Sequence, residues 1–142
     1  MAVKVYLVFN GNCREAVEYY AKVFGAEKPQ IMTMGDMPED TEFPLSEEEK
    51  KLVLHSRLHI SGSEIMFSDN CSGGPFTQGN NFSVAVVSND MDEIKQWFGR
   101  LKERGSITME LQETFWSKCY GSLTDKFGIN WQLSHEEETA SQ

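Results

Sequence analysis

Two stretches of this chain run through the same order of signals, and that repeat limits the fold more than any other feature. KVYLVF (4–9) is a short apolar run rich in β-branched and aromatic residues, so it reads as a strand. Asn10-Gly11 ends it, and Asn12 then stands as an N-cap with Glu15 in capping-box position. Cys13, Ala16, Val17, Tyr20 and Phe24 follow at helical spacing, and Gly25 closes the helix. PQIMTM (29–34) reads as a strand. LVLHSRLHI (52–60) and SEIMF (63–67), joined by Ser61-Gly62, read as a hairpin. The order then returns. NFSVAVVS (81–88) is a strand, Asp90 and Glu93 repeat the capping box, and Met91, Ile94, Trp97, Phe98 and Leu101 form an apolar helix face. Gly105 ends that helix and SITMELQ (106–112) is the next strand. The two caps lie about 78 residues apart and the two glycines about 80, the near-constant offset that internal repeats leave.

The closing stretch, TFWSKCYGSLTDKFGINWQL (114–133), decides the end of the second copy. Trp116, Tyr120, Phe127 and Trp131 fit a helical period, but Gly121 and the sequence Asp125-Lys126-Phe127-Gly128 point elsewhere. Asp first and Gly fourth is the signature of a type I turn. SKCYGSLT and INWQLS therefore read as the arms of a hairpin. Each half is then strand, helix and three strands, a βαβββ module in an α+β fold. The first module covers 1–70 and the second 71–134, within a single structural domain. DNCSGGPFTQGN (69–80) is the Gly/Pro-rich joint between them, and 135–142 is an acidic tail. A module of about 70 residues is marginal alone, so the two should bury surface against each other or against a second subunit. GDMPEDTEFPLSEEEKK (35–51) breaks the pattern. Ser46 with Glu49 suits a short helical turn, and the segment reads either as a lid or as an exposed acidic insertion.

Composition narrows the setting. No apolar run approaches the ~18 residues of a membrane span. The opening residues turn polar too soon for a signal peptide, so a cytoplasmic protein is expected. Cys13, Cys71 and Cys119 are an odd count without CxxC spacing, which reads as free thiols. The formal charge is −9, from 22 acidic and 13 basic residues, and no Lys/Arg stripe relieves it. That field repels a phosphate backbone and argues against nucleic acid as a partner.

Four segments in this order, YLVFNGNCREAVEYYAKVFGAE (6–27), GDMPED (35–40), LHSRLHISGSEIMFSD (54–69) and ETFWSKCYGSLTDKFGINWQL (113–133), resemble the PhnB-like branch of the vicinal oxygen chelate superfamily. That superfamily includes glyoxalase I, bleomycin-resistance proteins and extradiol dioxygenases. The resemblance implies that each module curls its strands into a half-open cup with the helix on the convex side. The two cups would face one ligand cavity. Metal-dependent members take four ligands, usually His and Glu, from the first and last long strands of each module. Matching caps, glycines and turn carries those positions onto Val5, Met66, Ser83 (to within one residue) and Gln132. Val and Met offer a divalent ion nothing, and Ser and Gln are weak neutral ligands. The resemblance together with these residues implies a lost metal set. Members of the branch are often labelled demethylubiquinone methyltransferases. No Gly-rich loop here follows a strand and opens a helix with an acidic residue further on, so no nucleotide-like cofactor is implied.

The carried-over positions put Val5, Leu7, Phe9, Met66, Ser68, Ser83, Asn130 and Gln132 on the concave face, with His55 near the cavity mouth. That is an apolar lining with a few neutral polar groups, usual for a small-molecule site. His55 and His59 sit on a strand about 13 Å apart, too far for one metal. Cys13 and Cys119 occupy apolar positions where Cys packs as a small hydrophobe. Asp69, Asp125 and Glu113 read as structural, Asp125 through its turn and Asp69 through the strand end. The expectation is a homodimer that binds a small molecule without a divalent metal or other cofactor. The alternatives are a metal-independent or weakly metal-dependent enzyme of the superfamily using His55, Tyr120 and Gln132, and a structural or regulatory dimer whose cup is filled by its own side chains.

Overall fold

The computed structural model describes residues 1–137. It divides into two compact units, Met1–Thr77 and Gln78 onward. The first unit contains β1 (Val5–Phe9), α1 (Cys13–Phe24), β2 (Ile31–Thr33), a 3-10 turn (Met34–Asp36), α2 (Glu47–Lys51), β3 (Val53–Ile60) and β4 (Ser63–Asp69). Its sheet has the order β1-β4-β3-β2. β1 runs parallel to β4, and β3 is antiparallel to both its neighbours. The second unit contains β5 (Val84–Ser88), α3 (Met91–Leu101), β6 (Ser106–Gln112), β7 (Tyr120–Thr124) and β8 (Asn130–His135). Its order, β5-β8-β7-β6, and its pairing directions repeat those of the first. The α+β class and the doubled βαβββ order expected from the sequence are both observed.

In each unit the long helix covers one sheet face. α1 rests on β3 and β4 and buries Cys13, Ala16, Val17, Tyr20, Ala21 and Val23. Tyr20 stacks on Phe67 with ring centroids 6.0 Å apart, and Phe9 meets the same ring at 6.4 Å. α3 rests on β5 and β8 and buries Ile94, Trp97, Phe98 and Leu101. Val84, Val86, Leu123, Trp131 and Leu133 complete that core. Each such side chain contributes roughly 1.5–3 kcal/mol on burial.

The termini of the elements depart from the sequence reading in instructive ways. Asn12 makes no side-chain cap. The N-terminus of α1 is held instead by Asp69 at the end of β4. Asp69 Oδ1 accepts from the N–H groups of Gly11 (2.8 Å) and Cys13 (3.0 Å), and Oδ2 accepts from Val53 N–H (2.8 Å). Asp90 does cap α3, accepting from the N–H groups of Asp92 and Glu93. Glu93, however, accepts from the Ser88 hydroxyl at 2.8 Å, and that hydroxyl takes the Asp90 N–H at 3.0 Å. The expected box is thus closed through a third residue. Gly105 is not the left-handed stop of α3. Arg104 takes that conformation (φ 59), while a Cβ at Gly105 would run into the Thr124 carbonyl.

Other local expectations are met. Ser61 and Gly62 both have positive φ, as a tight two-residue hairpin requires. Ser46 and Glu49 exchange both capping-box bonds at 3.1 Å and start α2. β2 is shorter than PQIMTM; Pro29 has no N–H to give a ladder. β7 starts later than SKCYGSLT. There the Ser117 hydroxyl donates to the carbonyls of Cys119 and His135, just beyond the Tyr120–Ser134 ladder pair. His135, assigned to the tail from the sequence, is buried and ends β8, while positions 138–142 of that tail lie outside the described residues. No helix among the described residues is long and apolar enough to cross a membrane.

Candidate functional site

Each unit leaves the sheet face opposite its helix open, and the register fixes what that face displays. In the second unit the DKFG turn sets the register. Asp125 Oδ1 accepts from Phe127 N–H (2.8 Å) and Ile129 N–H (3.0 Å), while Gly128 N–H donates to the Asp125 carbonyl (2.9 Å). Asp125 Oδ2 takes the Trp131 indole N–H at 2.8 Å, pinning that ring on the helix side. Trp131 is 1% exposed. Alternation then turns Asn130, Gln132 and Ser134 outward. Tyr120, Ser122 and Thr124 stand beside them on β7.

These outward groups are linked by hydrogen bonds. The Tyr120 hydroxyl donates to Gln132 Oε1 at 2.7 Å, and Gln132 Nε2 donates to Ser83 Oγ at 2.6 Å. The Thr124 hydroxyl donates to Asn130 Oδ1 at 2.6 Å, and Thr108 and Ser122 share a hydrogen bond of 2.6 Å. Trp116 stands edge-on to Tyr120 with centroids 5.3 Å apart. The result is a row of neutral donors and acceptors beside an exposed aromatic ring. Of the sequence candidates, Tyr120, Gln132, Ser83 and Asn130 all lie here, and Tyr120, Gln132 and Ser83 form one chain.

The first unit needs a correction. Val5, Leu7 and Phe9 were expected on the open face with Met66 and Ser68. The register pairs Val5 with Ile65 and Leu7 with Phe67, so these three share the helix side. Leu7 and Phe9 are each 3% exposed within the core. The residues beside Met66 and Ser68 are Tyr6 and Val8, both half-exposed. The carried-over position on β1 is therefore Tyr6, one residue from Val5. No sequence signal separated them, because VYLVF is apolar on both faces. On β3, Arg57 pairs with Met66 and His59 with Glu64, and His55 follows on the same face. The Tyr6 and His55 rings lie 6.0 Å apart, and Arg57 Nη2 is 3.5 Å from His55 Nε2. Arg57 was missed by the sequence reading, although alternation from His55 would have found it.

Charge also differs between the faces. Glu64 holds Lys4 at 2.9 Å, with Arg57 at 3.6 Å and His59 at 3.7 Å. The Lys4 hydrogen bond above all keeps its carboxyl below the ordinary value, with desolvation opposing it and the Lys4, Arg57 and His59 charges adding to it. On the helix side, burial and then the Asp69 charge push the Cys13 thiol up to about 12. Cys13 is fully buried, so both observations suit a packing residue and neither suits a nucleophile. Cys71 is raised for the same two reasons, and Cys119 is buried. Asp69 and Asp125 are committed to backbone and indole N–H groups, as structural carboxylates are.

The residues do not fit a divalent metal. The corrected positions offer Tyr6 and Met66 in one unit, and Ser83 and Gln132 in the other. The Gln132 amide is engaged at both ends. No group of three His, Cys, Asp or Glu side chains among the described residues is arranged to hold an ion.

Comparison with known proteins agrees with this architecture. Residues 1–134 match the family described as 3-demethylubiquinone-9 3-methyltransferase. Protein YjdN of Escherichia coli K12 is 33% identical over 153 aligned positions that span both chains completely. The crystal structure of PA1353 from Pseudomonas aeruginosa has a TM-score of 0.83 at 31% identity, covering 97% of this chain and 99% of that one. The PhnB protein of Bacillus cereus has a TM-score of 0.71 at 26% identity, covering 96% and 100%. A glyoxylase/bleomycin resistance protein/dioxygenase domain from Frankia sp. EAN1pec shares the fold at 14% identity, with a TM-score of 0.65 and coverage of 96% and 98%. With its match along nearly the whole length, this chain belongs to the family described as 3-demethylubiquinone-9 3-methyltransferase, and its doubled βαβββ sheets have the fold of glyoxalase/bleomycin resistance/dioxygenase proteins.

Proposed function

We propose that this protein binds a small molecule at an open sheet face, without the divalent metal of metal-dependent superfamily members. The observation that carries this reading is the Tyr120–Gln132–Ser83 chain. An uncharged amide fixed between two hydroxyls is a poor ligand for a hard or borderline cation. It is a good recognition element for a neutral polar group. Gln132 keeps a second amide hydrogen, Ser83 a hydroxyl hydrogen and Tyr120 a lone pair. Trp116 supplies apolar surface alongside. A few placed polar groups beside an aromatic wall are what small-molecule sites use.

The methyltransferase description of the family does not transfer readily to these residues. The Gly-rich strand-to-helix loop of dinucleotide sites is missing from the sequence. At the start of α1 two N–H groups are taken by Asp69, and at α3 two are taken by Asp90. The proposal places the protein in the cytoplasm as a homodimer, the latter because single modules are marginal in size.

The test is a thermal-shift screen of the full chain in chelator against a metabolite library. A ligand of the native state raises the melting temperature by mass action. The expected result is at least one small molecule that does so for the native protein and fails to do so for Gln132→Leu, which keeps its fold by circular dichroism. Absence of any shift favours a cup filled by its own side chains. Stoichiometric zinc, nickel or iron in purified protein refutes the metal-free reading.

A further inference from the structure

The open face of the first unit carries an unusual balance of charge for a chain of −9. Lys4, Arg57, His55 and His59 stand on it around the Glu64 carboxylate. That carboxylate is already spoken for. Lys4 holds it at 2.9 Å, a true hydrogen bond, whereas Arg57 Nη1 lies 3.6 Å away. The guanidinium has five N–H donors. Its named partners are this long contact and His55 Nε2 at 3.5 Å. Arg57 is more than half exposed, so most of its donors remain available to a ligand.

Two further groups stand with it. Tyr6, Met66 and Arg57 are in register across β1, β4 and β3, so Tyr6 and Arg57 flank the Met66 side chain. Neighbouring strands are about 4.8 Å apart, which puts Tyr6 and Arg57 roughly 10 Å apart at the backbone. Both side chains are long enough to reach a group lying over Met66. The Tyr6 ring touches His55, and among the described residues its hydroxyl has no hydrogen-bond partner. Asp36 lines the same hollow as His55 and Arg57, and its Oδ2 accepts from the Thr33 N–H at 2.8 Å.

From this arrangement we infer that Arg57, with Tyr6 and His55, forms an oxyanion subsite for a carboxylate, phosphate or sulfate group of the bound molecule. The inference rests on the reading that an open sheet face takes a small ligand, and it names the chemical group that the face of the first unit takes. A planar guanidinium recognises such groups through two parallel N–H···O bonds. The phenol adds a neutral donor, and Met66 forms an apolar floor that strengthens the pairing by excluding water. Glu64 then acts as a brake. It offsets part of the positive charge and competes weakly for the guanidinium.

The brake makes the inference sharply testable. The full chain, labelled with nitrogen-15, is titrated separately with sulfate, inorganic phosphate and benzoate at constant ionic strength. Saturable movement of the Tyr6, His55, Arg57 and Met66 signals is expected, and the three arms separate phosphate-like from carboxylate recognition. Arg57→Gln is expected to weaken the preferred anion at least tenfold. Glu64→Gln is expected to tighten it several-fold, a gain that misfolding does not produce. No saturable shift with any of the three anions, or equal affinity in native protein and Arg57→Gln, overturns the inference. If the anions fail while the thermal screen still finds a ligand dependent on Gln132, the oxyanion subsite falls and the binding reading stands.

Discussion

Asp69 and Asp125 are the same residue type at similar burial, 4% exposed in each case, yet only one could be read from the sequence. The partners of Asp125 lie two, four and six residues ahead. A turn motif therefore announces them. The partners of Asp69 lie 58, 56 and 16 residues back, at the N-terminus of α1 and the start of β3. No local pattern encodes such a contact, which is why Asn12 looked like the cap. Physically, Asp69 ties three elements through charge-assisted hydrogen bonds. Replacing it leaves buried N–H donors unpaired, and each costs about 1–3 kcal/mol. Asp69→Ala should lower the unfolding free energy by about 3 kcal/mol or more, measured as a shift of the urea midpoint. A loss below about 1 kcal/mol shows that water replaces the carboxylate and that the cap is unimportant.

At the level of elements, legibility followed the polarity of the strands. β8 alternates buried and part-exposed residues without interruption, so Trp131 and Gln132 were assigned to opposite faces correctly. β1 is apolar on both sides, and the face of Val5, Leu7 and Phe9 was misread by one residue. A one-residue slip exchanges every side chain between faces. The error moved Tyr6 out of the candidate site and obscured its place beside Arg57. The glycines show the same limit. Gly121 was used to argue against a helix, but its structural reason is space: a Cβ there would lie 2.9 Å from both Leu111 Cδ2 and Phe98 Cε2. That close approach lets α3 and β6 meet β7, and it depends on residues distant in sequence. Gly121→Ala should cost about 1–3 kcal/mol through overpacking. A melting temperature unchanged from native in calorimetry means that Leu111 or Phe98 yields without strain.

For the whole molecule, the doubled architecture follows from burial. Each unit covers one face of its sheet with a single long helix and leaves the other face open. Tyr6, Val8, Met32, Phe82, Val87, Ile107, Met109, Phe115 and Trp116 are all exposed. Some of these line the proposed ligand faces, but Phe115 is 97% exposed and packs only edge-on against Trp116. Within the second unit, the adjacent exposed rings of Phe115 and Trp116 are the kind of apolar surface that marks an interaction site. β2 and β6 each lie at an edge of their sheet, as β1 and β5 do at the other. A second copy of the chain is the simplest cover, since a symmetric pair buries the same patch twice. Light scattering at micromolar concentration is expected to give about twice the 16.2 kDa chain mass. Phe115→Ser with Trp116→Ser should shift the protein toward the monomer while leaving its far-ultraviolet circular dichroism intact. A native mass of one chain contradicts the dimer. A dimer unaffected by the double substitution moves the interface elsewhere, and it leaves Trp116 to the ligand face beside Tyr120.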